Sequence, residues 1–247
     1  MSDSAAALAL HRELNPGLQF KSFEHRQQLE AALCGHICER LQQGIEQRGQ
    51  ALLVVSGGRT PAALFQRLSE QPLEWNRVLI TLADERWVPP EHPDANERTV
   101  REHLLQKRAA DARFVSLLSP AVTPEEGQAE IEQRLRQLPE LIDLAILGMG
   151  EDGHTASFFP QAPELSQALT PEPPASCAAV TPPVAPWSRL TLTLPRLLAS
   201  RELVVHLCGE AKLPVLQAAL DEGEVEAMPI RTLLRQAQTP VNIYWAP

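Results

Sequence analysis

Asp143-Leu-Ala-Ile-Leu-Gly-Met-Gly-Glu-Asp-Gly-His-Thr-Ala-Ser-Phe-Phe-Pro160 joins an apolar run to a loop of glycines, acids and one histidine, and the rest of the chain is read outward from it. Ile142 to Leu147 is nearly uninterrupted in apolar character, as expected of a strand buried on both faces, and Gly148, Gly150 and Gly153 end it. In open α/β sheets, ligands bind at the loops that leave the carboxyl ends of the strands. His154 is therefore placed where a reactive side chain is useful. A near-neutral imidazole can take and return a proton, and Asp152 stands two positions before it.

Gly148-Met-Gly-Glu-Asp-Gly153 also matches the G-x-G-x-x-G pattern of dinucleotide sites. Glu151 and Asp152 would set negative charge against a pyrophosphate, Pro160 interrupts the helix that should follow, and no strand ending in an acid appears about 20 residues on. The dinucleotide reading is rejected on those grounds.

Moving outward, strand and helix alternate. Leu18–Phe23 reads as an edge strand and 24–48 as a helix with Leu29, Leu33, Ile37 and Leu41 on one face. Ala51–Ser56 reads as a buried strand, followed by Gly57-Gly-Arg-Thr-Pro61 and a helix from Ala62, with Pro61 in its first turn and Thr60 as its cap. Arg77–Ala83, Ala112–Leu117, Arg189–Leu194, Arg201–Cys208 and Val241–Trp245 read as further strands, with helices over 124–138 and 210–220. A further helix opens at Pro93–Arg98, capped by Asp94 or Asn96. The proline-rich stretch 161–187 is expected to be irregular. This alternation predicts an α/β fold, a single Rossmann-like domain over 1–247 with a mostly parallel sheet flanked by helices on both faces.

Composition narrows the function. Of 247 residues, 44% are hydrophobic and 21% charged, which is ordinary for a folded domain. A formal net charge of -9 argues against nucleic acid or an anionic membrane as the main partner. A small anion is still allowed, because a few cations gathered in one pocket can oppose the overall sign. Residues 1–17 lack the basic start and apolar segment of a secretory signal, and no run reaches membrane-spanning length, so a cytoplasmic location is expected. The four cysteines show no paired framework and are expected to be reduced thiols. Cys34, His36 and Cys38 do not make a metal site, since on a helix His36 points away from the two thiols.

Three other loops carry chemistry. The turn Ser56-Gly57-Gly58-Arg59-Thr60 leaves free amides at the start of a helix, where an anion can settle. Asp84-Glu85-Arg86 ends a strand at the same sheet edge. Arg189 begins a strand, and Lys212, one of only three lysines, lies just after Gly209 at a strand-to-helix junction. Either cation could be simply solvated; a phosphate needing neutralisation would give both a purpose.

Taken together, Ser56–Pro61, Asp84–Pro90, Asp94–Arg98, Leu147–Pro160, Arg189–Pro195 and Gly209–Lys212 resemble the 6-phosphogluconolactonase family, in that family's order. The resemblance implies a cofactor-free, metal-free esterase of the oxidative pentose phosphate pathway. Its substrate would be a small sugar phosphate, 6-phosphoglucono-1,5-lactone, hydrolysed to 6-phosphogluconate. A monomer with neither a nucleic-acid nor a membrane partner is expected. Two departures stand out. Arg59 replaces the last serine of the family's Ser-Gly-Gly-Ser turn. Phe159 stands where the related glucosamine-6-phosphate deaminases carry a catalytic glutamate, which argues against ring opening, and Arg86 replaces those enzymes' tyrosine.

On this reading His154 takes a proton from water and returns it to the leaving alkoxide, with Asp152 or Asp84 holding its ring. Arg86, or amides of the glycine loops including Gly150, faces the oxyanion. Ser56, Gly57, Gly58, Arg59, Thr60, Arg189 and Lys212 hold the substrate and its phosphate. The alternatives are a glucosamine-6-phosphate deaminase or isomerase, a non-catalytic sugar-phosphate-binding protein, and, more remotely, a metal-dependent hydrolase whose ligands meet only on folding.

Overall fold

The computed structural model describes residues 17–247. The reading of the N-terminal segment as no secretory signal lies, Gly17 apart, outside the described residues. Along the chain run β1 (Leu18–Ser22), α1 (Arg26–Arg48), β2 (Ala51–Val55), α2 (Ala62–Ser69), β3 (Val78–Leu82), β4 (Asp84–Arg86), α3 (Asn96–His103), β5 (Arg113–Val115) and α4 (Pro124–Leu135). They are followed by β6 (Leu144–Leu147), α5 (Leu165–Leu169), β7 (Cys177–Val180), β8 (Arg189–Leu192), α6 (Leu194–Leu198), β9 (Leu203–Cys208), α7 (Lys212–Leu220), α8 (Arg231–Leu234) and β10 (Val241–Ala246).

Seven strands form one sheet in the order β1-β10-β9-β6-β2-β3-β5, and every pairing in it is parallel. All residues of β2, β3 and β6 are buried, which is why these segments are apolar without alternation, apart from Thr81, whose hydroxyl donates to the Val115 carbonyl: both faces are covered. From β2 the order grows one way through β3 and β5, and from β6 the other way through β9 and β10. The switch lies between β2 and β6, and the crevice outside such a point is where open α/β sheets bind ligands.

Asp143 braces this pair of strands. Its buried carboxylate accepts the Leu52 amide at 2.9 Å and pairs with Arg48 at the end of α1, so the charge is both hydrogen-bonded and neutralised.

Several expectations need correction. Asp84–Arg86 is a strand, pairing antiparallel with β8, which pairs with β7 in a separate three-stranded sheet. Residues 161–187 contain α5 and β7 rather than irregular chain alone. A four-residue strand of Cys-Ala-Ala-Val is too short to show a period, and its pairing with β8 decides it. Arg189–Leu194 stops as a strand at Leu192 and turns into α6. Thr60 does not cap α2, whose first turn has no side-chain cap. Neither Asp94 nor Asn96 caps α3: the amides of Asn96 and Glu97 donate to the Glu85 carboxylate at 2.7 and 2.6 Å, so the capping oxygens arrive from β4.

Candidate active site

Two small cavities open at the switch point. One, of about 170 Å³, is lined by Ser56, Gly57, Asp84, Arg86, Asn96, Gly148, Gly150 and His154, among others. The other, of about 120 Å³, includes Ser56, Gly57, Thr60, Met149, His206, Cys208 and Lys212. Both are bounded by Ser56, Gly57, Gly148 and Met149, so the turns leaving β2 and β6 form their common border. Larger hollows, about 430 Å³ beside Arg196 and about 550 Å³ beside Glu70, are lined by none of these strand-end loops.

His154 is held from both sides. Its Nδ1 lies 2.6 Å from Asp152 Oδ1, and the same oxygen takes the His154 amide at 3.1 Å. A carboxylate in that place selects the Nδ1–H tautomer and leaves the Nε2 lone pair free. Burial works to raise the Asp152 carboxyl, but the hydrogen bonds from the His154 ring and amide outweigh it, and its pKa lies below the ordinary carboxylate value. The Phe159 ring packs against the imidazole with centroids 4.5 Å apart.

The glycine at 150 is a steric requirement of this arrangement. A Cβ there would stand 2.1 Å from His154 Nδ1 and 2.6 Å from Asp152 Oδ1. The loop closes on itself through the Gly150 amide, which donates to the His154 carbonyl at 2.8 Å.

Of the two carboxylates considered for the imidazole, Asp152 is the one against it. The Asp84 carboxylate instead accepts from Ser157 Oγ at 2.7 Å, and its backbone carbonyl accepts from the side-chain Nδ2 of Asn96 at 2.8 Å. Arg86 lines the His154 cavity and donates to the Asp94 carbonyl. Lys212 Nζ donates to the Met149 carbonyl at 2.9 Å, across the border from the histidine. Ser56, Gly57, Asp84, Arg86, Gly150 and His154 are thus brought to one cavity, and Thr60 and Lys212 to the adjoining one. Gly58, Arg59 and Arg189 line neither.

Arg59 is exposed. Arg189 is 5% exposed, sits across from Arg86 in the β4–β8 pair, and donates to the Pro186 and Trp187 carbonyls, each at 2.7 Å. Burial, followed by the Arg86 charge, lowers its pKa from the usual guanidinium value.

Four contributors have no individual role in the reading from sequence, where Glu85 enters only within the Asp84–Arg86 cluster and Asn96 only as a cap candidate. Glu85 is fully buried, accepts the amides of Arg86, Asn96 and Glu97, and is pushed by burial up to about 7 even against those donors. Asn96 is wedged beneath the β2 turn, where a Cβ on Gly57 would lie 2.3 Å from its Oδ1. His206 and Cys208 wall the Lys212 cavity; burial, with the Arg26 charge, pulls His206 down to about 4, so it is neutral at pH 7. Their place at the carboxyl end of β9 was a usable signal; the contacts that Glu85 and Asn96 make with each other's segments had no local signal.

Among the described residues no group of three or more His, Cys, Asp or Glu side chains is placed to hold a metal ion, and no helix is long and apolar enough to cross a membrane. Cys34, Cys38, Cys177 and Cys208 are free thiols, and His36 Nε2 is engaged with Glu202 at 2.7 Å.

A profile of the family described as glucosamine-6-phosphate isomerases/6-phosphogluconolactonase matches residues 24–245. The chain is 44% identical to a 6-phosphogluconolactonase of Pseudomonas aeruginosa over 87% of its own length and 89% of the relative's. It is 44% identical to one from Rhizobium meliloti over 91% and 97% of the two chains. The crystal structure of a 6-phosphogluconolactonase from Shewanella baltica superposes with a TM-score of 0.91 at 46% identity, covering 93% of this chain and 98% of that one.

Proposed function

This chain belongs to the glucosamine-6-phosphate isomerase/6-phosphogluconolactonase family, and on that premise we propose that it hydrolyses 6-phosphoglucono-1,5-lactone to 6-phosphogluconate, a step of the oxidative pentose phosphate pathway. The observation that carries the reading is the imidazole of His154, its Nδ1 held by Asp152, in a cavity bordering the one that Lys212 lines.

In the proposed reaction, His154 Nε2 removes a proton from water as its oxygen adds to C1. The carbonyl electrons move onto the C1 oxygen, where Arg86 or amides of the Gly148–Gly150 loop stabilise the charge. When the tetrahedral intermediate collapses, the bond between C1 and the ring oxygen breaks, and the imidazolium gives its proton to the departing alkoxide. Asp152 supports the charged imidazolium between the two steps. Lys212, with the Ser56–Thr60 turn, holds the phosphate, and this remote contact positions the carbonyl without entering the chemistry. Arg59 and Arg189 belong to phosphate binding only if the turn or the Pro186–Trp187 segment rearranges around substrate.

The same reading makes the chain one domain, acting as a monomer in the cytoplasm without nucleic acid or membrane. The single domain is supported by one hydrophobic cluster that, among the described residues, reaches from Leu18 to Ala246, and the lack of a nucleic-acid or anionic-membrane partner by the net charge of -9. Acid release from freshly prepared 6-phosphogluconolactone, against the spontaneous rate without enzyme, tests the activity; a rate no higher than the spontaneous one would end the proposal.

A further inference from the structure

Among the described residues, four buried side-chain polar atoms have no hydrogen-bond partner, and two of them, Ser56 Oγ and Asn96 Oδ1, belong to residues that line the His154 cavity. Buried polar atoms are nearly always paired, so two orphans at one cavity are informative. The chemistry of Asn96 is the more restrictive. Its amide nitrogen donates to the Asp84 carbonyl at 2.8 Å; reversing the amide would set oxygen against oxygen, so the orientation follows from its partner. Its backbone amide is fixed on Glu85 at 2.7 Å, and its side chain presses on the Cα of Gly57. Asn96 is 2% exposed and has nowhere else to turn.

The orphan oxygen accepts and cannot donate. A phosphate oxygen would repel it, so the group that satisfies it must carry a hydrogen. Asn96 lines the His154 cavity and not the one lined by Lys212, which sets that group near the reacting carbonyl rather than near the phosphate. We propose that Asn96 Oδ1 accepts a hydrogen bond from a ring hydroxyl at C2 or C3 of the lactone, and that Asn96 thereby selects hydroxylated over deoxygenated rings. This inference rests on the proposed lactone hydrolysis.

The test compares kcat/KM for 6-phosphogluconolactone with its 2-deoxy and 3-deoxy counterparts. The wild-type protein is expected to lose roughly 10- to 100-fold on one deoxy lactone, because a desolvated acceptor is then left unpaired. In Asn96→Ala that preference should collapse to within about 3-fold. Asn96→Leu, which has the same number of side-chain heavy atoms and branches at the same carbon, is read the same way if the alanine variant does not fold. Equal wild-type rates on all three lactones would overturn the inference. So would an Asn96→Ala or Asn96→Leu protein that is slower on every lactone by one factor, since a purely structural role moves all rates together. Turnover without preference sinks this inference alone; no turnover on any lactone sinks the functional reading with it.

Discussion

Asp152 Oδ1 lies 2.6 Å from His154 Nδ1 and 3.1 Å from the amide of the same residue, so one carboxylate oxygen sets both the ring and the backbone that carries it. The ring's tautomer and its position have a single source. His154→Ala should lower kcat by roughly 10² to 10⁴, the usual range for a general base. Asp152→Asn should lower kcat by about 10²-fold with KM little changed, since it removes the tautomer's partner and not a substrate contact. Steady-state kinetics on both variants check this; near wild-type turnover in His154→Ala would remove the assignment.

Gly150 offers a steric route to the same conclusion. A Cβ would fall 2.1 Å from His154 Nδ1 and 2.6 Å from Asp152 Oδ1. Gly150→Ala must therefore displace the imidazole, the carboxylate or both, and turnover should fall by on the order of 10²-fold in a protein that still folds. Circular dichroism beside kcat separates a displaced site from a lost fold.

Lys212 and Arg189 should behave differently although both are cations of the expected site. Lys212 lines a cavity and can meet a phosphate, so Lys212→Ala should raise KM more than it lowers kcat. Arg189 is engaged with the carbonyls of Pro186 and Trp187. Its removal leaves two acceptors unpaired, and Arg189→Ala should lose about 1–3 kcal/mol of stability in urea unfolding. A large KM effect with unchanged stability would return Arg189 to the phosphate site.

Glu85 gives the pH dependence. Its folded pKa, pushed up by burial to about 7, lies above the ordinary glutamate value of about 4.3. Between those values the folded protein holds a proton that the unfolded chain has released, so stability falls as pH rises through this window and is highest at its acid end. The contribution is on the order of 4 kcal/mol across the window. Glu85→Gln, which cannot titrate, should flatten that slope in unfolding midpoints measured from pH 4 to 7, while losing some stability because one amide of α3 meets an NH₂ group.

The parts of this molecule legible in its sequence are those made by neighbours. β2 and β6 stand out because interior parallel strands are apolar throughout, and His154 and Asp152 were found together because they share one turn. What escaped is made at a distance. Glu85 caps a helix 11 residues on, and Ser157 holds Asp84 across 73 residues, contacts that leave no period and no motif. Arg189 at the start of a strand could be simply solvated, whereas β8 lies between β4 and β7 and its Arg189 is buried. Thr60 has the residue type of a cap, but the chain enters α2 through Pro61 instead.

The most direct measurement follows acid release from 6-phosphogluconolactone and from unphosphorylated gluconolactone, with wild-type protein, His154→Ala and no protein. The wild type should hydrolyse the phosphorylated lactone well above the spontaneous rate and strongly prefer it to the unphosphorylated one, with His154→Ala falling back toward the spontaneous rate. Equal rates on the two lactones, or a His154→Ala protein as fast as the wild type, would contradict a site in which one histidine works on a ring held by its phosphate.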